Sequence, residues 1–215
     1  MKTPGIRWNF SFLIIAYWND KLIKLIAFSR IMEITEEIRK FVEEECKKET
    51  NFFGISAYKY HFVSMVKYAK KLAGETGADI EIVELAGWLH DIASILGDYE
   101  NHHISGADYA EKLLMEYGYP KEKIDRIKHC IIAHRGSKDI PRETIEAECI
   151  ADADAMSHFD NISSLFNLAL VTRKLETEEA KKFVKEKLKR SWNKLTSRAK
   201  AIIKPKYDSA MILFE

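Results

Sequence analysis

Residues 79–97 read DIEIVELAGWLHDIASILG, and this stretch decides the fold class. Its apolar residues recur every three or four positions, which is the spacing of one face of an α-helix. This apolar face consists of Ile82, Leu85, Ala86, Leu89 and Ile92. Asp79 is a typical N-cap residue and Gly97 a typical residue at a helix end. The stretch therefore predicts one buried helix between Asp79 and Gly97.

The same helical spacing continues on both sides of this stretch. Pro120 and Pro141 each fit the first turn of a helix, and Thr177 begins a long helix that we expect to end before Pro205. Four prolines and nine glycines are few for 215 residues, and no strand-like alternation of useful length occurs. The sequence predicts an all-α, single-domain helical bundle.

The chain ends differ in composition from the predicted bundle at residues 32–204. Residues 1–31 form an apolar or amphipathic extension, and residues 205–215 form a short tail. The apolar run at residues 10–18 is too short to span a bilayer, which takes roughly 20 residues. Two interpretations of the extension stay open: it packs on the domain or on a membrane surface, or translation starts later, at Met32.

The overall charge and the cysteines argue against several classes of protein. With 34 basic and 33 acidic residues, the net charge is +1, so the sequence carries no strong nucleic-acid signal. Cys46, Cys130 and Cys149 form no C-x-x-C pair and are odd in number. They predict neither a thiolate zinc site nor a disulfide framework, and a reduced, cytoplasmic setting is expected. Nothing in the composition predicts an oligomeric state.

Several histidines and acids occupy positions that should face the core. His90 and Asp91 are adjacent in the apolar stretch, and His61 and His134 lie on the apolar faces of two other predicted helices. An ionised aspartate in an apolar setting costs several kcal/mol unless a cation or a hydrogen-bond donor compensates it. Imidazole and carboxylate groups together suit divalent transition metals. These residues therefore predict a metal centre inside the bundle.

A second acidic segment, ADADAM at residues 151–156, lies on another predicted helix. Asp152 and Asp154 are about 200° apart on a helix, so they point in different directions. Asp154 has His158 one turn later on the same face, whereas Asp152 has Met156. Asp154 is the preferred ligand, and Asp152 remains the alternative.

The order His61, His90-Asp91, Asp154 resembles the H…HD…D signature of the HD superfamily of metal-dependent phosphohydrolases. The similarity runs over residues 58–157. In this family the four motif residues ligate one metal ion, and most members hydrolyse nucleotides or other phosphate esters. The resemblance implies that His61, His90, Asp91 and Asp154 are metal ligands. Mn²⁺ is the first expectation, with Mg²⁺, Co²⁺, Ni²⁺, Fe²⁺ and Zn²⁺ as alternatives.

The segments HHISGADYAEKLL and IKHCIIAHRG, at residues 102–114 and 127–136, are similar to the subset of HD proteins with extra histidines. That resemblance implies that His102 and His134 complete a second metal position or contact phosphate, with His103 and His129 as weaker candidates. A GYP element is missing, so the resemblance disfavours the cyclic-dinucleotide phosphodiesterase branch.

The resulting hypothesis is hydrolysis of a phosphate ester by a metal-activated water, with a small phosphorylated molecule, in particular a nucleotide, as substrate. Asp91 would orient or deprotonate the water, and His102 and His134 would act beside it. Arg135 and Lys138 would grip substrate phosphate, although they are equally typical of an ordinary charged surface.

Two alternatives come from other classes of protein. One is a catalytically silent HD module that binds a nucleotide and regulates a partner, and the other is a helical scaffold with buried histidines. The near-complete ligand set argues against the silent module, and a metal analysis that finds no bound ion would favour the scaffold. No P-loop, Rossmann glycine pattern or serine nucleophile elbow occurs.

Overall fold

A computed structural model describes residues 10–51, 53–136, 138 and 140–214. All regular structure in these residues is helical, which confirms the predicted all-α fold. The α-helices are α1 (Phe10–Lys47), α2 (Val63–Thr76), α3 (Ile80–Leu89), α4 (Ile92–Ile95), α5 (His102–Glu116), α6 (Lys121–Ala133), α7 (Ile145–Ser157), α8 (Ile162–Asn167), α9 (Thr177–Asn193) and α10 (Ser197–Ile212). Two π-helical segments, Ala57–Phe62 and Leu168–Thr172, precede α2 and follow α8.

The chain divides into two compact units, Met1–Glu37 and Ile38–Glu215. The boundary falls inside α1, and the predicted extension, residues 1–31, belongs to the first unit. Its first nine residues lie outside the described part of the chain. Among the described residues, no helix is both long enough and apolar enough to cross a bilayer.

Four helices form the core of the second unit. α2 packs on α3 and α7, and α6 packs on the same two helices, while α5 covers α6. The largest side chains that these helices bury completely include Met65, Leu72, Ile82, Leu85, Leu89, Ile124, Ile127 and Ile131. Complete burial of one such side chain stabilises the fold by about 1.5–3 kcal/mol. The predicted apolar face of residues 79–97 therefore lies in the middle of the core.

Gly87 lets α2 and α3 approach each other closely. A Cβ atom at this position would lie 2.9 Å from Cγ2 of Val66 and 3.2 Å from Sδ of Met65. Both distances are too short for an ordinary contact, so only glycine fits without movement of the Val66 and Met65 side chains. The close approach brings the end of α3 against the helix that follows His61.

The predicted helix from Asp79 to Gly97 is interrupted, which corrects the sequence-based expectation. Asp79 is the N-cap, and its carboxylate accepts hydrogen bonds from the backbone N–H groups of Glu81 and Ile82. The helix ends at Leu89, and Asp91 has φ −113° and ψ 17°, outside the helical region. The break turns the Asp91 side chain away from the apolar face of α3 and lets it meet side chains from other helices.

Two further helix boundaries differ from the prediction. α7 begins after Thr144, whose hydroxyl accepts from the Ala147 N–H at 3.1 Å, and not at Pro141. The long helix from Thr177 stops at Asn193, because Thr196 caps a new helix, α10.

α10 continues through Pro205, so the predicted tail from residue 205 is helical as far as Ile212. Proline leaves the carbonyl of Ala201 without a helical donor. Both residues are exposed, so water can satisfy that carbonyl.

Candidate metal centre

The predicted ligands meet at the ends of several helices, around one cavity of about 440 Å³. His61 comes from the π-helical segment before α2, and Asp91 from the break after α3. His134 directly follows α6, and Asp154 lies in the last turn of α7. The helix ends carry the polar groups because the middles of these helices fill the core.

His61, His90 and Asp154 form one group whose ligand atoms all lie within 4.8 Å of one another. The Nε2 atoms of His61 and His90 are 3.0 Å apart. Oδ1 of Asp154 lies 3.8 Å from Nε2 of His61. All three residues are buried.

Asp91, His102 and His134 form a second group with the same spacing limit. Oδ1 of Asp91 lies 3.3 Å from Nε2 of His102 and 3.7 Å from Nε2 of His134. Its other oxygen, Oδ2, lies 3.5 Å from Nε2 of His61 and 3.6 Å from Nε2 of His90. The Asp91 carboxylate therefore stands between the two groups, with one oxygen towards each.

The same type of local hydrogen bond fixes the tautomer of three histidines. Nδ1 of His90, His102 and His134 lies 2.5–2.8 Å from the carbonyl oxygen three residues earlier. A carbonyl only accepts, so Nδ1 must be the N–H donor in each ring. The lone pair is then on Nε2, which points towards the centre, as metal-binding histidines require.

Ser157 fixes His61 in the same way. Its hydroxyl donates to the carbonyl of Asp154 at 2.7 Å, so its oxygen is free to accept from Nδ1–H of His61 at 2.8 Å. Ser191 fixes His158 by the same arrangement, because its hydroxyl donates to the Lys187 carbonyl and its oxygen accepts from Nδ1–H of His158 at 3.0 Å. Both serine-bound histidines direct Nε2 inwards.

The surrounding charges keep the aspartates ionised. Burial opposes ionisation of Asp91, but the imidazoles of His90, His134 and His61 beside it hold the pKa of its carboxyl well below its ordinary value. Burial likewise opposes ionisation of Asp154, and Lys194, whose Nζ lies 2.7 Å from Oδ2, holds the pKa of that carboxyl well below its ordinary value.

Burial keeps two of the histidines neutral. It lowers the pKa of His90 to about 4, and with Lys187 nearby it holds the pKa of His158 well below its ordinary value.

The residues fit a divalent cation. His90 is neutral at physiological pH, and its lone pair faces the lone pair of His61 across 3.0 Å. Two bare nitrogens at this distance repel each other unless a proton or a metal ion lies against both. Several imidazole nitrogens and two ionised carboxylates form the mixed donor set that divalent transition metals prefer.

The other residues suggested by the sequence lie in different places. Arg135 lines the cavity and donates to the carbonyl of Glu100 and to Nδ1 of His103 at 3.0 Å. Lys138 is exposed and does not line the cavity. His129 accepts from a backbone N–H at 3.0 Å and belongs to neither group.

Asp152 and Asp154 do point different ways, as their spacing predicts. Asp152 accepts from the backbone N–H of Thr196 at 3.1 Å and also from the Thr196 hydroxyl, with Arg142 3.7 Å away. It therefore anchors the start of α10, and only Asp154 faces the histidines.

Five basic residues that line this cavity were given no role from the sequence: His158, Arg173, Lys187, Arg190 and Lys194. The spacing of His158, four residues after Asp154, was a usable signal. The α9 residues gave none, because a lysine-rich helix is typical of a solvated surface. Desolvation in the cavity wall lowers the pKa of Lys187 to about 8.

Known proteins resemble this chain over the same region. Residues 58–158 match the family model for the HD domain. Ribonuclease Y from Fusobacterium nucleatum is 34% identical over 99 residues, which cover 45% of this chain and 18% of that protein. The chain spans less than a third of the length of the ribonuclease Y relatives it matches.

Solved structures show the same fold. Bacillus subtilis YpgQ in complex with ADP superposes with a TM-score of 0.62 at 20% identity, covering 83% of this chain and 93% of that one. A predicted HD superfamily hydrolase from an uncultured Thermotogales bacterium gives a TM-score of 0.51 at 23% identity, covering 72% and 84%. Residues 58–158, just under half of the chain, therefore match the HD domain, and the solved structures share the chain's fold.

Proposed function

We propose that this protein hydrolyses a phosphate ester of a nucleotide or a related small molecule with the help of divalent metal. The observation that carries the proposal is the position of Asp91, with one carboxylate oxygen towards His61 and His90 and the other towards His102 and His134. Such a carboxylate would help to hold a cation in either group of imidazole nitrogens.

His61, His90, Asp91 and Asp154 would hold one ion, and Asp91, His102 and His134 a second. Mn²⁺ remains the first expectation for the ion, since mixed histidine and carboxylate ligation suits it. Divalent metal in such a site lowers the pKa of a bound water and neutralises charge on the phosphoryl group.

Asp91 would orient or deprotonate the attacking water. Arg135 lines the cavity beside His134 and is positioned to contact phosphate, whereas Lys138 lies outside the cavity wall.

A nucleotide substrate is supported by the shared fold of YpgQ, which was crystallised with ADP. The similarity to ribonuclease Y supports a phosphodiester as the second candidate substrate class. A cavity of about 440 Å³ has the size of a small-molecule site, which favours a small molecule over a polymer. The remaining alternative, a silent module that binds nucleotide and regulates a partner, predicts binding without turnover.

The test is a panel of nucleotides, chromogenic phosphate mono- and diesters and a short RNA, each with Mn²⁺, Mg²⁺, Co²⁺ or Ni²⁺. The wild type is compared with Asp91→Ala and with Asp108→Ala, a matched control whose side chain is exposed on α5. We expect metal-dependent turnover that is lost in the first variant and kept in the second. Turnover in Asp91→Ala equal to wild type would sink the proposal, and nucleotide binding without any turnover would favour the silent module.

A further inference from the structure

α9 directs a row of side chains into the cavity from outside the segment that matches the HD domain. Phe183, Lys187, Arg190 and Lys194 all line the cavity and follow one another at intervals of one helical turn. At 1.5 Å per residue, the row extends over roughly 16 Å. Its Lys194 end touches the metal centre, because Lys194 binds Asp154.

Two cations in this row lack an anionic partner. In the part of the chain that the structure describes, no carboxylate lies within 4.0 Å of the side chains of Lys187 or Arg190. Lys189, by contrast, pairs with Glu186 at 3.6 Å. Lys187 is half-buried, so its cation has lost part of its hydration, and a bound anion would offset that cost. Arg190 lines the same cavity but is exposed, so a ligand can reach it without such a cost.

The cavity wall as a whole has a surplus of positive charge. The basic side chains that line it are Arg135, Arg173, Lys187, Arg190 and Lys194, whereas the carboxylates among the described lining residues are Asp91 and Asp154 alone. Both carboxylates belong to the proposed metal groups, which bring further positive charge when loaded. A single phosphate would be matched by the metal centre itself, so the unpaired cations on α9 suit additional negative charge on the same ligand.

The outer end of the row offers a flat surface. The guanidinium carbon of Arg173 lies 4.7 Å from the centre of the Phe183 ring, and both side chains line the cavity. Arginine planes and aromatic rings are the groups on which nucleobases stack. Phe183 lies one turn beyond Lys187, so the surface follows directly on the two unpaired cations.

We infer that Lys187 and Arg190 form a phosphate subsite beside the metal centre, and that the substrate is a nucleoside di- or triphosphate. The inference rests on the proposed function and adds the substrate class to it. One phosphorus would react at the metal groups, Lys187 and Arg190 would bind neighbouring phosphates, and the base would lie against Phe183 and Arg173. Arginine suits this role because its planar fork donates two parallel hydrogen bonds to phosphate.

The reaction with such a substrate consumes one water molecule. The water oxygen bonds to the attacked phosphorus, and the bond from that phosphorus to the bridging or ester oxygen breaks. The leaving oxygen keeps the electron pair of the broken bond, and the protons of the water pass to product oxygens or to solvent.

The test compares Lys187→Met and Arg190→Met with Lys189→Met, which removes the same charge from the outward side of α9. Methionine keeps most of the apolar stem, so packing is disturbed little. Equilibrium binding of a nucleoside mono-, di- and triphosphate is measured by calorimetry with Mn²⁺ present, and hydrolysis of the same nucleotides and of a chromogenic monoester is followed separately.

We expect the wild type to bind the triphosphate more tightly than the monophosphate. Each of the first two substitutions should reduce that preference by roughly tenfold or more, because hydrogen bonds to charged groups have this strength. Lys189→Met should keep it.

Equal affinities for mono- and triphosphate in the wild type would overturn the subsite, even if the chromogenic ester is hydrolysed. A preference that survives both substitutions would overturn it as well. Binding with the expected preference but no hydrolysis of any compound would instead contradict the proposed function.

Discussion

Replacing Ser157 by alanine removes the hydroxyl that fixes the His61 ring while leaving every proposed ligand in place. Ser157 is completely buried, donates to the Asp154 carbonyl at 2.7 Å and accepts from Nδ1–H of His61 at 2.8 Å. In the variant, Nδ1–H of His61 is buried without an acceptor. Its proton can then move to Nε2, which abolishes the lone pair that faces His90.

The substitution should lower both the stability of the fold and the affinity for metal. A buried donor left without a partner destabilises the fold by about 1–3 kcal/mol. Loss of the hydrogen bond that orients a histidine ligand lowers metal affinity by roughly 10–100-fold. The variant should therefore bind Mn²⁺ much more weakly although it still contains all the metal-ligand residues.

Calorimetric titration with Mn²⁺ measures the affinity, and urea unfolding of metal-free protein measures the stability. Ser64→Ala is the matched control, because that half-buried hydroxyl donates only to backbone carbonyls of the preceding helical turn. A Ser157→Ala protein that loses stability but binds Mn²⁺ within twofold of wild type would refute the argument from the tautomer.

Three further predictions concern charge, packing and pH. Lys194→Met removes a cation that lies 2.7 Å from Asp154 and competes with metal for its carboxylate. The affinity for Mn²⁺ measured by calorimetry should therefore rise roughly threefold to tenfold. A lower Mn²⁺ affinity in the variant would contradict this competition. In urea unfolding, Gly87→Ala should destabilise the protein by about 1–3 kcal/mol, because the new Cβ has no room between α2 and α3. Gly74→Ala, which has open space around it, should stabilise the protein by about 0.5–1 kcal/mol. Equal effects of the two substitutions would contradict the close approach of α2 and α3. Burial lowers the pKa of His90 from about 6.5 in the unfolded chain to about 4 in the folded protein, so the unfolded state binds more protons between these pH values. The unfolding free energy of metal-free protein should therefore fall by roughly 3 kcal/mol from pH 6.5 to pH 4. An unfolding free energy that stays constant over this range would contradict the burial of a neutral ring.

The sequence was informative at positions where the apolar spacing predicts a buried side chain but the residue is polar. Polar residues on apolar faces, His61 and His134 among them, stood out because a core position that carries imidazole needs a reason. The α-helical class followed from the same spacing. The break at Asp91 was missed because the apolar pattern runs through it without interruption, and backbone dihedrals at a break leave no periodic signal.

The α9 residues were missed for the opposite reason. Lys187 and Arg190 lie in a helix rich in lysine and glutamate, and such a composition is also what a solvated surface requires. Only the packing of α9 against α7 and α8 places their side chains at the cavity. The serines that fix His61 and His158 were equally invisible, since Ser191 is 33 residues away from its histidine in sequence.

The central claim is that hydrolysis depends on divalent metal held by the histidine and aspartate groups. The most direct measurement is turnover of a nucleoside triphosphate by protein stripped with a chelator and then titrated with Mn²⁺. We predict no turnover in the stripped protein and a return that follows the amount of bound Mn²⁺, with no return in Asp91→Ala. Turnover that persists after stripping, or Mn²⁺ binding that is unchanged by Asp91→Ala, would contradict the account.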